Sequence, residues 1–212
     1  MIESNSREFH NKYVKDFTHG LENTEVTSAD GHISYDEGLD LSRDMLREAR
    51  AQGKKILIIG NGGSAAIASH MTIDFVKQTN IRTLNFNDSS VLTAVSNDIS
   101  YEDVFAYPIE KYADEGDILL AISSSGNSEN IIRGTRMARQ KGCKTITCSA
   151  FSEDNRLRKQ GDLNFYVPTK SYGVAETLHQ LISHEIMDVL LYCEDNVDIF
   201  NRNQVKKPSE QH

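Results

Sequence analysis

Apolar residues along this chain fall into short continuous runs separated by longer stretches of mixed character. The runs are "KKILIIG" (54–60), "IRTLNF" (81–86), "GDILLAIS" (116–123), "CKTITCSA" (143–150) and "LNFYVP" (163–168). Each has the length of a strand buried on both faces. Between them, residues 64–78, "SSVLTAVSND", "YEDVFAYPIEKYA" and "NSENIIRGTRMARQKG" read as helices, and "VAETLHQLISHEIMDVLLYCE" as a long C-terminal one. Upstream, residues 4–22 and 35–52 read as two polar-to-amphipathic helices, with Leu39, Leu41, Met45 and Leu46 forming an imperfect stripe on the second. "SADGHIS" between these two reads as a loop. Strand alternating with helix predicts an α/β fold, a three-layer sandwich whose central parallel sheet is covered on both faces. No repeat, low-complexity block or linker divides the chain. It is therefore expected to be one domain over residues 1–212, with N-terminal helices (1–52), a core (53–195) and a flexible polar tail (201–212).

Charge narrows the partners. The net charge is −8, which argues against a surface that tracks nucleic-acid phosphates. A small phosphorylated ligand remains compatible, because the backbone N–H groups at a helix N-terminus need no basic side chain. The start has no apolar signal region, and no stretch approaches 18 uninterrupted apolar residues, so neither a signal peptide nor a membrane span is expected. Cys143, Cys148 and Cys193 match no zinc or redox spacing, and a reducing cytoplasm is the expected compartment.

Candidate chemistry lies where strands give way to helices, the end at which open parallel sheets bind ligands. "GNGGSAA" (60–66) follows the first run. It is neither a P-loop nor GxGxxG, and reads equally as a plain tight turn or as a ligand loop in which Gly60, Gly62 and Gly63 allow close backbone approach. There Ser64 can cap the next helix or donate to an anion. "ISSSGNSEN" (122–130) is more telling. One cap explains one or two polar residues, but not Ser123, Ser124, Ser125 and Ser128 together at a helix N-terminus, so a phosphate site is the better reading. His70 and Asp74 are spaced i, i+4 on one helical face. They either share a metal or proton, or form an ordinary electrostatic contact. Glu176 and His184 lie eight residues apart, about 12 Å along a straight helix, and would share an ion only by reaching toward each other or with a bend at the helix start.

"GNGGSAA", "SND" at 96–98, "GDILLAISSSGNSENII" and a last helix with spaced histidines together resemble the sugar isomerase (SIS) fold, a flavodoxin-like architecture. Within it the likeness is to the phosphoheptose isomerases. What the resemblance implies is phosphate binding by Ser123, Ser124, Ser125 and Ser128, and sugar binding by Asn61, Gly62, Ser64 and Asp98. It also implies a divalent metal, zinc in that family, on His70, Asp74, Glu176 and His184. Asp74 and His184, with Glu176, would carry acid–base catalysis of an aldose–ketose isomerisation through an enediolate. A homotetramer with active sites between subunits is implied as well.

The chain departs from that family at several positions. Asp74 replaces a glutamate and Glu176 a glutamine. Gln78 stands where an arginine is usual, and Gly173-Val174-Ala175 where Asp-Arg-Ile is usual. Two other readings stand beside the heptose one: a non-catalytic SIS-fold regulator or sugar-phosphate sensor, and an isomerase of a pentose or hexose phosphate. A flavodoxin-like nucleotide binder is disfavoured, because neither loop carries an acidic ribose-binding residue in register.

Overall fold

The structure, a computed structural model, describes residues 5–201; the expected tail beyond Asn201 lies outside them. The element order is α1 (Ser6–Glu22), β1 (Glu25–Ser28), β2 (Gly31–Ile33), α2 (Tyr35–Ala51), β3 (Lys55–Gly60), α3 (Gly63–Thr79), β4 (Arg82–Asn85), α4 (Ser89–Asp98), α5 (Ala106–Tyr112), β5 (Ile118–Ser123), α6 (Glu129–Gln140), β6 (Lys144–Ala150), β7 (Leu163–Val167) and α7 (Tyr172–Cys193). Seven strands form one sheet in the order β2-β1-β7-β6-β5-β3-β4.

The five runs of the core pair in parallel, as their alternation with helices predicts. Every residue of β3 and of β5 is buried, which only a sheet covered on both faces can satisfy. One apolar cluster joins Ile56, Ile58, Leu120 and Ile146 to Met71, Phe75, Leu178 and Ile182 of α3 and α7. A second joins Leu57, Ile59, Leu119 and Ala121 to Val95, Ile109 and Ile132 of α4, α5 and α6. Successive residues of β3 alternate between the two, as a period of two requires.

Two expectations are corrected. The segment read as a loop before α2 contains a hairpin: β1 pairs antiparallel with both β2 and β7 and extends the sheet. Only Val26 of these two short strands is buried, too little for an apolar run to register. The helix expected over 101–113 is broken into a 3-10 turn, Tyr101–Asp103, and α5. Pro108 is the cause. It has no N–H to donate to the Val104 carbonyl and its ring excludes that carbonyl, so the helix begins afresh with Pro108 in its first turn.

Among the core strands, β4-β3-β5-β6-β7 is the flavodoxin-like order, in which the chain winds away in opposite directions from β3 and β5. The loops that follow these two strands therefore splay apart at their carboxyl ends. They are "GNGGS" and "SSSGNS".

Candidate active site

A cavity of ≈ 220 Å³ opens at that switch point, lined by Asn61, Gly62, Gly63, Ser64, Ser123, Ser124, Ser125, Ser128, Tyr172 and Glu176. Gly126 makes the serine loop turn back on itself. It sits at φ +60°, and a Cβ there would fall 2.0 Å from the Asn155 amide oxygen, so no other residue fits without moving its neighbour. Asn155 is 1 % exposed and anchors the loop from behind, donating to Ser149 and Ser152 and accepting from the Arg158 N–H. Asn61 and Asn130 exchange two side-chain amide hydrogen bonds of 2.9 and 3.0 Å across the cavity floor, tying one loop to the other.

Of the five serine hydroxyls only that of Ser125 is committed, accepting from the Asn127 N–H. Ser128 is the N-cap of α6 but makes no side-chain capping bond. Ser64, expected as a possible cap, is not one: Gly62 occupies the cap position of α3, again with no side-chain bond. Among the described residues Ser64, Ser123, Ser124 and Ser128 have no side-chain hydrogen-bond partner within the protein, and all four line the cavity. Donors that hold nothing and converge on a helix N-terminus suit an anion.

The remaining predicted residues fall in three places. His70, Asp74 and His184 come together, their ligand atoms all within 4.8 Å of one another. His70 Nε2 lies 3.2 Å from Asp74 Oδ2, and the two imidazoles meet edge to face at 5.5 Å. The packing of α3 on α7 brings them there. Glu176 is not in this group. It lies just over two turns back on α7, as the eight-residue spacing requires, and its carboxylate enters the serine cavity. Asp98 is exposed at the end of α4 and bonded to the Asn97 amide; it does not line the cavity.

Three contributors escape a reading of the sequence. Asn130 and Tyr172 are single polar positions next to helix starts. Asp188, one turn beyond His184, faces the same cluster. Burial is the main cause that holds its carboxyl above the usual range; His184 opposes this, and the charges of Asp74 and Glu185 reinforce it. Its i+4 spacing from His184 is the signal that was available.

A larger cleft of ≈ 1060 Å³ lies beyond β6 and β7. It gathers Asp16, Glu153 and Asp154 against Lys170, and Ser171 already caps the neighbouring helix, so it offers an anion little. The T-shaped pair Phe151–Tyr172, 4.8 Å between centroids, joins the walls of the two clefts.

A flavodoxin-ordered sheet with a serine-lined cavity at its switch point places the chain among the α/β domains that bind ligands at that point, and the chain belongs to the SIS domain family, which matches residues 13–150. Curated relatives of the chain include phosphoheptose isomerases. A phosphoheptose isomerase of Aliarcobacter butzleri is 34% identical over 160 residues, 73% of this chain and 84% of that one. Another, of Geobacter sulfurreducens, is 33% identical over 153 residues, 69% and 80% of the two chains. Among solved structures, a phosphoheptose isomerase from Neisseria gonorrhoeae superposes with a TM-score of 0.75 at 24% identity, over 88% of this chain and 99% of that one. That likeness shares the fold.

Proposed function

We propose that this protein is an aldose–ketose isomerase of a phosphorylated sugar, interconverting sedoheptulose 7-phosphate and D-glycero-D-manno-heptose 7-phosphate. The observation that carries the reading is the convergence of four unpartnered serine hydroxyls on one cavity, Ser123, Ser124 and Ser128 before α6 and Ser64 at the start of α3, next to a His/Asp/His cluster on α3 and α7, which also wall the cavity. The names of the relatives supply the sugar. Metal dependence, a homotetramer and a cytoplasmic location belong to the same proposal. Exposed Phe9, Val14, Ile73 and Val76 offer apolar surface for other subunits, and the three cysteines are unbridged thiols.

His70, Asp74 and His184 fit a divalent ion such as zinc, which two imidazole nitrogens and one carboxylate oxygen within 4.8 Å of one another would hold. Such an ion would supply Lewis-acid polarisation of the sugar carbonyl and of the charge that develops on its oxygen. The chain's own residues do the rest. The serine loop and the α6 N-terminus hold the phosphate and fix the sugar. The Asn61–Asn130 pair keeps the two loops in register. Isomerisation moves a proton from the carbinol carbon beside the carbonyl to the former carbonyl carbon, and the hydroxyl proton passes in the same direction between the two oxygens. Asp74 and His184 are assigned these transfers. Glu176, inside the cavity, receives hydrogen bonds from the sugar hydroxyls.

The test is Asp74→Ala and His184→Ala, assayed for sedoheptulose 7-phosphate turnover and, by calorimetry, for binding. Loss of a positioned acid or base lowers kcat by roughly 10²–10⁴-fold, with phosphosugar still bound. Full turnover in both variants would sink the assignment.

A further inference from the structure

Two helix N-termini, not one, open into the serine cavity. That of α6 is reached through Ser128, and that of α3 through Gly62 and Gly63. On general grounds either attracts a phosphate, and a sugar phosphate could enter in two opposite orientations.

The two ends are not equivalent. At α6 the cavity-facing groups are serine hydroxyls; among the described residues those of Ser123, Ser124 and Ser128 have no partner, and that of Ser125 accepts from the Asn127 N–H. The acid in that helix's first turn, Glu129, is turned away and committed to Arg133 and Arg156, which hold its carboxyl below the usual range, Arg156 foremost. At α3 no acid stands in the helix's own first turn and no side chain caps it. Glu176 reaches over from α7 instead. A Cβ built on Gly63 would fall 2.3 Å from the Glu176 carboxyl carbon and 2.4 Å from both of its oxygens. The carboxylate thus lies directly on the first turn of α3, in space that only glycine leaves open. Among the described residues it has no ion-pair or side-chain hydrogen-bond partner. The anion that the α3 N-terminus favours is already present and is part of the protein.

We propose that Glu176 is a polarity filter. It occupies the α3 end of the cavity with negative charge, compels a phosphosugar to bind with its phosphate at the serine loop, and rejects sugars that carry a second phosphate at the opposite end. The proposal rests on the reading of this cavity as a phosphosugar site. Like charges brought together in a confined site cost enough to discriminate by on the order of a hundredfold. A neutral amide of the same shape removes the repulsion and keeps a hydrogen-bonding group for sugar hydroxyls.

The experiment measures binding, by calorimetry at pH 7.5, of sedoheptulose 7-phosphate and sedoheptulose 1,7-bisphosphate to the full-length wild type, to Glu176→Gln and to Glu176→Ala. The readout is the ratio of the two dissociation constants within each protein, so that a general change in affinity cancels. The wild type is expected to favour the monophosphate by about a hundredfold, and both variants to bring the ratio to within about tenfold. Variants that bind the monophosphate but keep the wild-type ratio overturn the filter and leave the phosphosugar reading standing. A wild type that binds neither sugar overturns both. Two independent variants guard against one that fails to fold.

Discussion

His179 lies in the middle of α7 with no exposed surface, and neither of its ring nitrogens has a hydrogen-bond partner. Burial pushes its pKa down from 6.5 to about 4; the Ser149 backbone offsets part of that fall without completing a hydrogen bond. In the unfolded chain the imidazole takes up a proton near pH 6.5, whereas in the folded protein it stays neutral until about pH 4. Between these values the unfolded state binds more protons, so stability falls as pH falls, and the full contribution is present only above about 6.5. Carried from pH 8 to pH 4.5, the loss from this one group is about 2.5 kcal/mol. The assay is urea unfolding followed by far-ultraviolet circular dichroism, at fixed protein concentration and several pH values, for the wild type and His179→Leu. Acid effects from carboxylates are common to both and cancel in the difference. At pH 8 the variant is expected within about 2 kcal/mol of the wild type, since it trades cavity formation against two unsatisfied polar atoms. By pH 4.5 the difference shifts by about 2.5 kcal/mol in the variant's favour. A wild-type-minus-variant difference that is flat across this range would refute the reasoning.

Two further outcomes follow from the packing. Lys55, at the amino end of β3, bonds Asp117 at 2.6 Å and Asp114 at 2.7 Å, and Asp117 is 1 % exposed. Lys55→Met strands that buried charge and is expected to cost about 3–5 kcal/mol in urea unfolding, while adding Asp117→Asn recovers a large part; an unchanged midpoint in the single variant would refute this. Gly126→Ala forces a left-handed backbone onto alanine at about 1–2 kcal/mol and drives Asn155 from its place behind the serine loop. It should therefore weaken phosphosugar binding more than it lowers the melting temperature would suggest, and wild-type affinity would refute the role given to Asn155.

The parts of this molecule that show in its sequence are those set by continuous burial. Runs such as Ile56–Ile59 and Ile118–Ile122 have no polar position to confuse the period, and the loops after them inherit their place from the strand ends. The β1–β2 hairpin stayed hidden because Val26 alone is buried in it. The site was legible in its two loops, where hydroxyls and glycines cluster within a few residues. Proximity of His184 to His70 and Asp74 depends on how α7 lies across α3, which no local pattern encodes. The same crossing sends Glu176 to the α3 N-terminus, two turns from the histidine with which the family likeness grouped it. Asn130 was missed because its role comes from a partner 69 positions away.

Four hydroxyls in the cavity bond to nothing in the protein, and this separates two kinds of selection along the chain. Residues of β3 and β5 answer to folding, and Asn155 and Gly126 to the shape of a loop. On the proposed function, Ser64, Ser123, Ser124, Ser128 and Glu176 answer to the ligand. A lineage can therefore exchange one of these for another small or isosteric side chain, and so drift from one phosphorylated sugar to another, without passing through a chain that fails to fold.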